Sequence, residues 1–237
     1  MFSYETRLKY TETDADGYLK PGALLDEFQD CSTFQSDELG VGPEYLKEQG
    51  CGWIVAYHEI LFYRRPKAGD IVTVGTNPYK MRGCMGYRNF FLLDSEGEKL
   101  AVSDSLWVYI DVNKVSMSKV PDKIHDAYMK ETDEKFEMGT HSRKIELPDN
   151  MEPAGDFQIR KNDIDSNLHV NNSVYVYLAS EFIPEGAELD RLRIEYKNAA
   201  YYGQTLHAMK AETDGSIFVT LLNDDGDITA AMEMMLK

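Results

Sequence analysis

Between Arg160 and Tyr177 the chain reads R-K-N-D-I-D-S-N-L-H-V-N-N-S-V-Y-V-Y. Two carboxylates (Asp163, Asp165), four amides (Asn162, Asn167, Asn171, Asn172) and one imidazole (His169) fall within eleven positions. These groups are what attack on a carbonyl requires. A carboxylate takes a proton from water, an amide orients that water, and an imidazole positions or protonates the leaving group. Asp165, Asn167 and His169 lie two apart, so in an extended stretch their side chains share a face. Fully extended, the α-carbons of Asp165 and His169 would be about 13 Å apart. The loop must therefore curl, or the groups must converge from both sides of a substrate. The same residues also build turns and helix caps, because Asn, Asp and Ser bond nearby backbone N–H groups. Residue types alone leave both readings open.

The elements around this run repeat a pattern found earlier in the chain. In the first half a strand-like segment, 4–12, leads to the turn T-D-A-D-G (13–17) and then to a helix from Pro21 to Leu39. Pro21 suits a first helical position, Leu24, Leu25, Phe28 and Cys31 share a face, and Gly40 follows the end. Strand-like runs follow at 53–64, 70–81, 87–95 and 99–111, with Asp94-Ser95-Glu96-Gly97 as a tight turn. In the second half 157–163 leads to the Asn- and Asp-rich loop and a segment at 171–182. Runs at 191–198, 204–213, 216–222 and 228–236 come next, with Asp214-Gly215 and Asp225-Gly226 as hairpin turns. Each half thus reads strand, helix, four strands, an α+β layer with a helix on an antiparallel sheet. One segment resists this pattern. Val174-Tyr175-Val176-Tyr177-Leu178 alternates β-branched and aromatic residues, which by local rules is a strand.

The motif D-x-N-x-H-V-N-N-x-x-Y (165–175) resembles the signature of the acyl-acyl carrier protein thioesterases. P-K-A-G-D-I-V-T-V (66–74), Y-R-N-F-F-L-L-D-S-E-G (87–97), S-L-W-V-Y-I-D (105–111), V-P-D (120–122) and E-F-Q-D (27–30) are similar to that family in order and spacing. The resemblance implies a tandem (double) hotdog, each half a curved antiparallel sheet wrapped around a central helix. It makes 171–182 the second central helix, which Asn171-Asn172-Ser173 can cap and Pro184 can end. The domains are expected at 1–128 and 151–237, with a linker at 129–150.

The resemblance implies a thioester hydrolase that releases fatty acid from acyl-acyl carrier protein, or from coenzyme A. Asp165 would activate water or attack the thioester, Asn167 would hold the water or the carbonyl oxygen, and His169 would lie on the sulfur side. Backbone N–H groups at the start of the following helix would add to the oxyanion site. Asn171, Asn172, Tyr175, Phe28 and Trp53 are candidates for substrate binding. In this reading the first half supplies the acyl pocket and the second the chemistry. The chain departs from the plant members where a Glu-Cys pair follows Y-R-R: here Glu195-Tyr196-Lys197-Asn198 leads into Ala199 and Ala200. The turn around Asp14 resembles the catalytic loop of single-hotdog acyl-CoA thioesterases. A turn leading into the helix is favoured there, because Lys20-Pro21-Gly22 stands where the second half has His169-Val170-Asn171.

Composition bounds the remaining possibilities. The formal charge of −16 disfavours nucleic acid and anionic membrane as partners. No apolar run approaches the roughly 20 residues that span a bilayer, and the first residues lack a signal-peptide pattern, so a cytoplasmic location is expected. Cys31, Cys51 and Cys84 have neither disulfide nor zinc spacing. His58, His125, His141 and His207 are isolated, so no metal or other cofactor is expected. The implied partner is acyl carrier protein bearing a 4′-phosphopantetheine-linked acyl chain, met by a monomer or homodimer. That partner is itself acidic, so docking would need local cations, for which Arg64, Arg65, Lys67, Arg160, Lys161, Arg191 and Arg193 are available. A hotdog hydratase or dehydratase and a non-catalytic acyl-binding protein are the alternative functions.

Overall fold

The β-branched and aromatic runs pair as long antiparallel strands, and the turn residues between them fix the registers. The computed structural model describes residues 1–130, 135–136, 138, 142–213 and 215–237. His141, Asp214 of the expected 214–215 turn and much of the 129–150 linker lie outside the described residues. Two compact units are present, 1–19 with 26–139 and 20–25 with 140–237.

In the first unit, β1 (Phe2–Arg7), β2 (Cys51–Phe62), β3 (Ile71–Arg82), β4 (Met85–Asp94) and β5 (Lys99–Asp111) form an antiparallel sheet in the order β1-β3-β4-β5-β2. A two-residue β6 (Ser116–Met117) adds to β5. The helix α1 (Pro21–Glu38), which belongs to this unit from Asp26 onward, ends where Gly40 takes φ 68°, a left-handed stop that costs glycine little. It buries Leu24, Leu25, Phe28 and Cys31, as the sequence face predicts. The Phe28 ring stacks on Phe90 of β4 with centroids 5.1 Å apart. Two further helices, α2 (Pro43–Glu48) and α3 (Asp122–Met129), were not expected from the sequence. The expected strand at 4–12 is shorter: β1 stops at Arg7 and Tyr10–Glu12 form a 3₁₀ turn. The cause is Glu12, whose carboxylate accepts the backbone N–H of Lys9 and pulls the chain into a turn.

In the second unit, β7 (Glu152–Gln158), β8 (Leu189–Tyr196), β9 (Thr205–Thr213), β10 (Ser216–Leu222) and β11 (Ile228–Leu236) form an antiparallel sheet ordered β8-β11-β10-β9-β7. Pro153 is tolerated because β7 pairs only with β9 in that order and its register shifts at Pro153–Gly155. The segment 161–163, expected as strand, is again a 3₁₀ turn, with Asp163 in the role of Glu12. The helix α4 (Asn172–Ser180) forms despite its β-branched residues. Asn171 caps it, accepting the Ser173 N–H at 3.2 Å, and burial of Ser173, Tyr175, Val176 and Ala179 outweighs a propensity cost of a few tenths of a kcal/mol per residue. Each unit is therefore a sheet with a long helix, and no described helix is long and apolar enough to cross a membrane.

The first core holds a neutral histidine. His58 on β2 is buried against Phe90, and its Nδ1 lies 2.8 Å from Ser103 Oγ. Burial disfavours the imidazolium and pushes its pKa down to about 3 from 6.5. As pH falls from 6.5 towards 3, the unfolded chain takes up a proton that the folded chain refuses, so stability falls with acid. By pH 4.5, about two pH units below the unfolded value, the loss is on the order of 3 kcal/mol. We expect His58→Gln to flatten this slope in urea unfolding measured from pH 7 to pH 4.5. Parallel profiles for the two proteins would count against it.

Candidate active site

The run 160–171 curls as its spacing requires. The Asp165 N–H donates to the His169 carbonyl at 2.8 Å, and Leu168 N–H to the Asp165 carbonyl at 3.1 Å, closing a tight turn. Leu168 sits at its tip with φ 66° and is 75% exposed. The Asp165 carboxylate splits its duties between its two oxygens. Oδ1 accepts the backbone N–H groups of Asn167 (2.8 Å) and His169 (3.3 Å), while Oδ2 faces the Asn167 amide at 3.3 Å. No cation pairs with Asp165 among the described residues. Asp165 is half-buried and Asn167 exposed. The His169 ring lies 5.0 Å from the Tyr201 ring, and its nitrogens have no hydrogen-bond partner among the described residues.

The motif's other carboxylate is structural. Asp163 is buried and takes the Arg160 backbone N–H at 2.7 Å and its guanidinium at 2.8 and 3.1 Å. Those bonds hold its carboxyl below the usual carboxylate range despite burial. Asn171 spends its oxygen on Ser173, and its N–H donates to the Asp163 carbonyl at 2.9 Å. The Ser173 and Val174 N–H groups at the start of α4 are taken by the Asn171 side chain and carbonyl. The Asn172 carbonyl accepts from the Tyr196 hydroxyl at 3.1 Å.

Tyr175 is a part of the site whose partner the sequence does not reveal. Its buried hydroxyl accepts the Ala200 N–H at 3.2 Å, and its ring meets Tyr196 edge-on at 5.8 Å. Burial, reinforced by the nearby Asp165 charge, pushes the phenol up to about 12, so it stays protonated. The Ala200 carbonyl in turn accepts the Val170 N–H at 2.9 Å, tying residue 200 to the Asp165 turn. Tyr175→Phe leaves the buried Ala200 N–H unpaired, which costs about 1–3 kcal/mol. Ala200→Pro removes that N–H, so the double variant is expected to recover most of the loss in a chemical-unfolding cycle. A simple sum of the two single effects would refute the coupling.

Phe28 and Trp53, also expected at the substrate, are placed in the first unit. Phe28 is fully buried in its core. Trp53 is half-buried against Tyr109, with ring centroids 5.1 Å apart and its indole N–H without a hydrogen-bond partner among the described residues.

The turn at Asp14 repeats the backbone hydrogen bonding of the Asp165 turn. Asp14 Oδ1 accepts the N–H groups of Asp16 (3.1 Å) and Tyr18 (2.9 Å), and Asp14 N–H donates to the Tyr18 carbonyl at 2.8 Å. Gly17, with φ 82°, takes the place of Leu168. Tyr18-Leu19-Lys20, not Lys20-Pro21-Gly22, therefore corresponds to His169-Val170-Asn171. The two turns differ in one respect: Asp14 Oδ2 pairs with the Arg65 guanidinium. Burial raises the Asp14 carboxyl, but the Arg65 bond and the backbone N–H groups outweigh it and hold it low.

The cations proposed for docking are mostly engaged. Arg64 pairs with Asp94, Arg65 with Asp14, Arg160 with Asp163 and buried Arg193 with Glu233. Lys67 lies over the Tyr18 ring and Lys161 over Tyr202, at 4.8 and 5.8 Å from the centroids. Arg191 belongs to β8. The described residues contain no group of three or more His, Cys, Asp or Glu side chains arranged to hold a metal. Cys31 is buried and its thiol pushed up to about 12 by burial, whereas Cys51 and Cys84 are half-buried rather than buried, and all three are free.

Comparison with known proteins finds two domain models along the chain. Residues 1–128 match the model of the acyl-ACP thioesterase N-terminal domain, and residues 147–236 that of the C-terminal domain. A chloroplastic acyl-[acyl-carrier-protein] hydrolase of Cuphea viscosissima is 30% identical over 246 residues, covering 95% of this chain and 56% of the relative. The chain thus spans about half the length of the curated relatives it matches. Among solved structures, an acyl-ACP thioesterase from Bacteroides thetaiotaomicron superposes with a TM-score of 0.90 at 22% identity, covering 99% of this chain and 97% of the other. The 12:0-ACP thioesterase from Umbellularia californica superposes with a TM-score of 0.84 at 20% identity, covering 100% and 96%. Both carry the double hotdog, which is the fold of this chain. With both domain models matched in order along its length, the chain belongs to the acyl-ACP thioesterase family.

Proposed function

We propose that this chain hydrolyses acyl thioesters and releases fatty acid from an acyl carrier protein or from coenzyme A. The observation that carries the reading is the Asp165 turn: a carboxylate with no cation on it among the described residues, with Asn167 against one oxygen and the His169 ring nearby. Asp165 acts as general base on water or as nucleophile on the thioester carbonyl. The Asn167 amide, already 3.3 Å from Oδ2, orients the water or holds the carbonyl oxygen without neutralising the base. His169, its ring tilted against Tyr201 and its ring nitrogens without a hydrogen-bond partner among the described residues, orients the substrate and shares proton transfer to the departing thiolate. The acyl group arrives on a 4′-phosphopantetheine arm, for which the exposed Leu168, Tyr201 and Tyr202 offer apolar contact beside the turn.

The reading is tested by hydrolysis of acyl-carrier-protein and acyl-CoA thioesters from short to long chains. Release of free thiol with a chain-length optimum is expected. Tight acyl binding without turnover would favour a binding protein, and water addition to an enoyl thioester would favour a hydratase.

A further inference from the structure

The duplication extends beyond the turn to the segment that lies against it. Leu19 N–H donates to the Pro66 carbonyl at 2.9 Å, and Val170 N–H to the Ala200 carbonyl at the same distance. Leu8 N–H bonds the Asp70 carbonyl at 3.0 Å, and Ile159 N–H the Gln204 carbonyl at 2.9 Å. Gly69 and Gly203 take φ 90° and 86° and donate to the carbonyls of Leu8 and Ile159. The Asp70 side chain accepts the Lys67 N–H, and the Gln204 side chain the Tyr201 N–H, both at 2.8 Å. Even the ring contacts correspond: Lys67 lies over Tyr18 as Tyr201 lies against His169. Residues 63–70 therefore match 197–204 one for one. Pro66 answers to Ala200, and Arg65 to Ala199.

In the first half, residue 65 is the long cation that grips Asp14 Oδ2 and also donates to the Leu19 carbonyl at 3.0 Å. In the second half, the same backbone place holds an exposed alanine, and Asp165 Oδ2 is left to Asn167. We propose that position 199 sets whether Asp165 is free to act, and that alanine there keeps available a carboxylate which the first half carries in quenched form. Residue 199 is a positioning residue, acting through Asp165. Pro66, which has no N–H, faces no hydroxyl requirement; Ala200 has one and meets it with Tyr175. The two halves thus differ at paired positions, and each pair is chemically consistent.

The inference rests on the thioesterase reading only in its activity arm, so the test has two readouts on the whole chain. Carboxyl-carbon NMR titration is followed for the unaltered protein, Ala199→Arg, Ala199→Met and Arg65→Met, and lauroyl-CoA hydrolysis is assayed on the same samples. Ala199→Arg is expected to move the Asp165 midpoint down by about 1–3 on the pH scale, while the uncharged Ala199→Met leaves it in place. Arg65→Met is expected to move the Asp14 midpoint up. Turnover by Ala199→Arg is expected to fall at least about tenfold relative to Ala199→Met. An Asp165 midpoint that ignores Ala199→Arg, or that moves equally with Met, overturns the inference. So does an Asp14 midpoint that ignores Arg65→Met. If the midpoints move as stated but the unaltered protein hydrolyses no thioester, the inference stands and the proposed function falls.

Discussion

Asp165→Asn is expected to lower kcat for thioester hydrolysis by at least about 10²-fold, since losing a general base costs roughly 10²–10⁴-fold. The substitution is conservative for the fold. An asparagine oxygen still accepts the N–H groups of Asn167 and His169 that Oδ1 now holds. Only the second oxygen changes character, and the Asn167 amide can turn to meet it. Unfolding by heat or urea should therefore differ little from that of the unaltered protein. Asp14→Asn makes the contrast. There the lost carboxylate is already bound to Arg65, so turnover is expected to change only slightly. Loss of activity in Asp14→Asn with retention in Asp165→Asn would transfer the site to the first half.

Phe28→Ala is expected to cost about 3–5 kcal/mol of stability, the range for truncating a fully buried aromatic side chain. Phe28 has no exposed surface and stacks on Phe90, which also carries the His58 ring on its surroundings. The vacated space has few ways to close, because α1 is fixed to the sheet at other points. The Tyr4 hydroxyl donates to Glu27 at 2.8 Å, and Arg88 donates to Gln35 at 2.6 Å. Chemical unfolding measures the loss directly. A cost below about 1 kcal/mol, with an altered acyl-chain preference instead, would make Phe28 pocket lining rather than core.

What the sequence discloses here depends on range. The face Leu24, Leu25, Phe28, Cys31, the stop at Gly40 and the cap at Asn171 are local signals, and the helices they mark are present. Val174–Leu178 misleads because β-branched alternation is also what a mostly buried helix can carry. The 3₁₀ turns at Tyr10–Glu12 and Lys161–Asp163 escape because one carboxylate, three residues ahead, overrides strand propensity. The site motif is legible as a cluster of residue types, yet its most informative features are not local. Arg65 reaches Asp14 across 51 positions, and Tyr175 reaches Ala200 across 25. The correspondence of the two turns is equally hidden. It becomes visible only through left-handed Gly17 and Leu168, and matching the halves by helix start displaces it by two residues.

The residue at the tip of each turn has a bearing on order. Gly17 adopts its left-handed backbone at little cost, and its turn is cross-linked by the Asp14–Arg65 pair. Leu168 adopts nearly the same backbone against a penalty of roughly 1–2 kcal/mol, in a turn with no such cross-link among the described residues. A leucine also explores far less backbone space than a glycine, so the turn it occupies has fewer alternative shapes to visit. Where the first turn is fixed by an ion pair, the second is restricted by the narrower backbone entropy of leucine, at the cost of its left-handed strain.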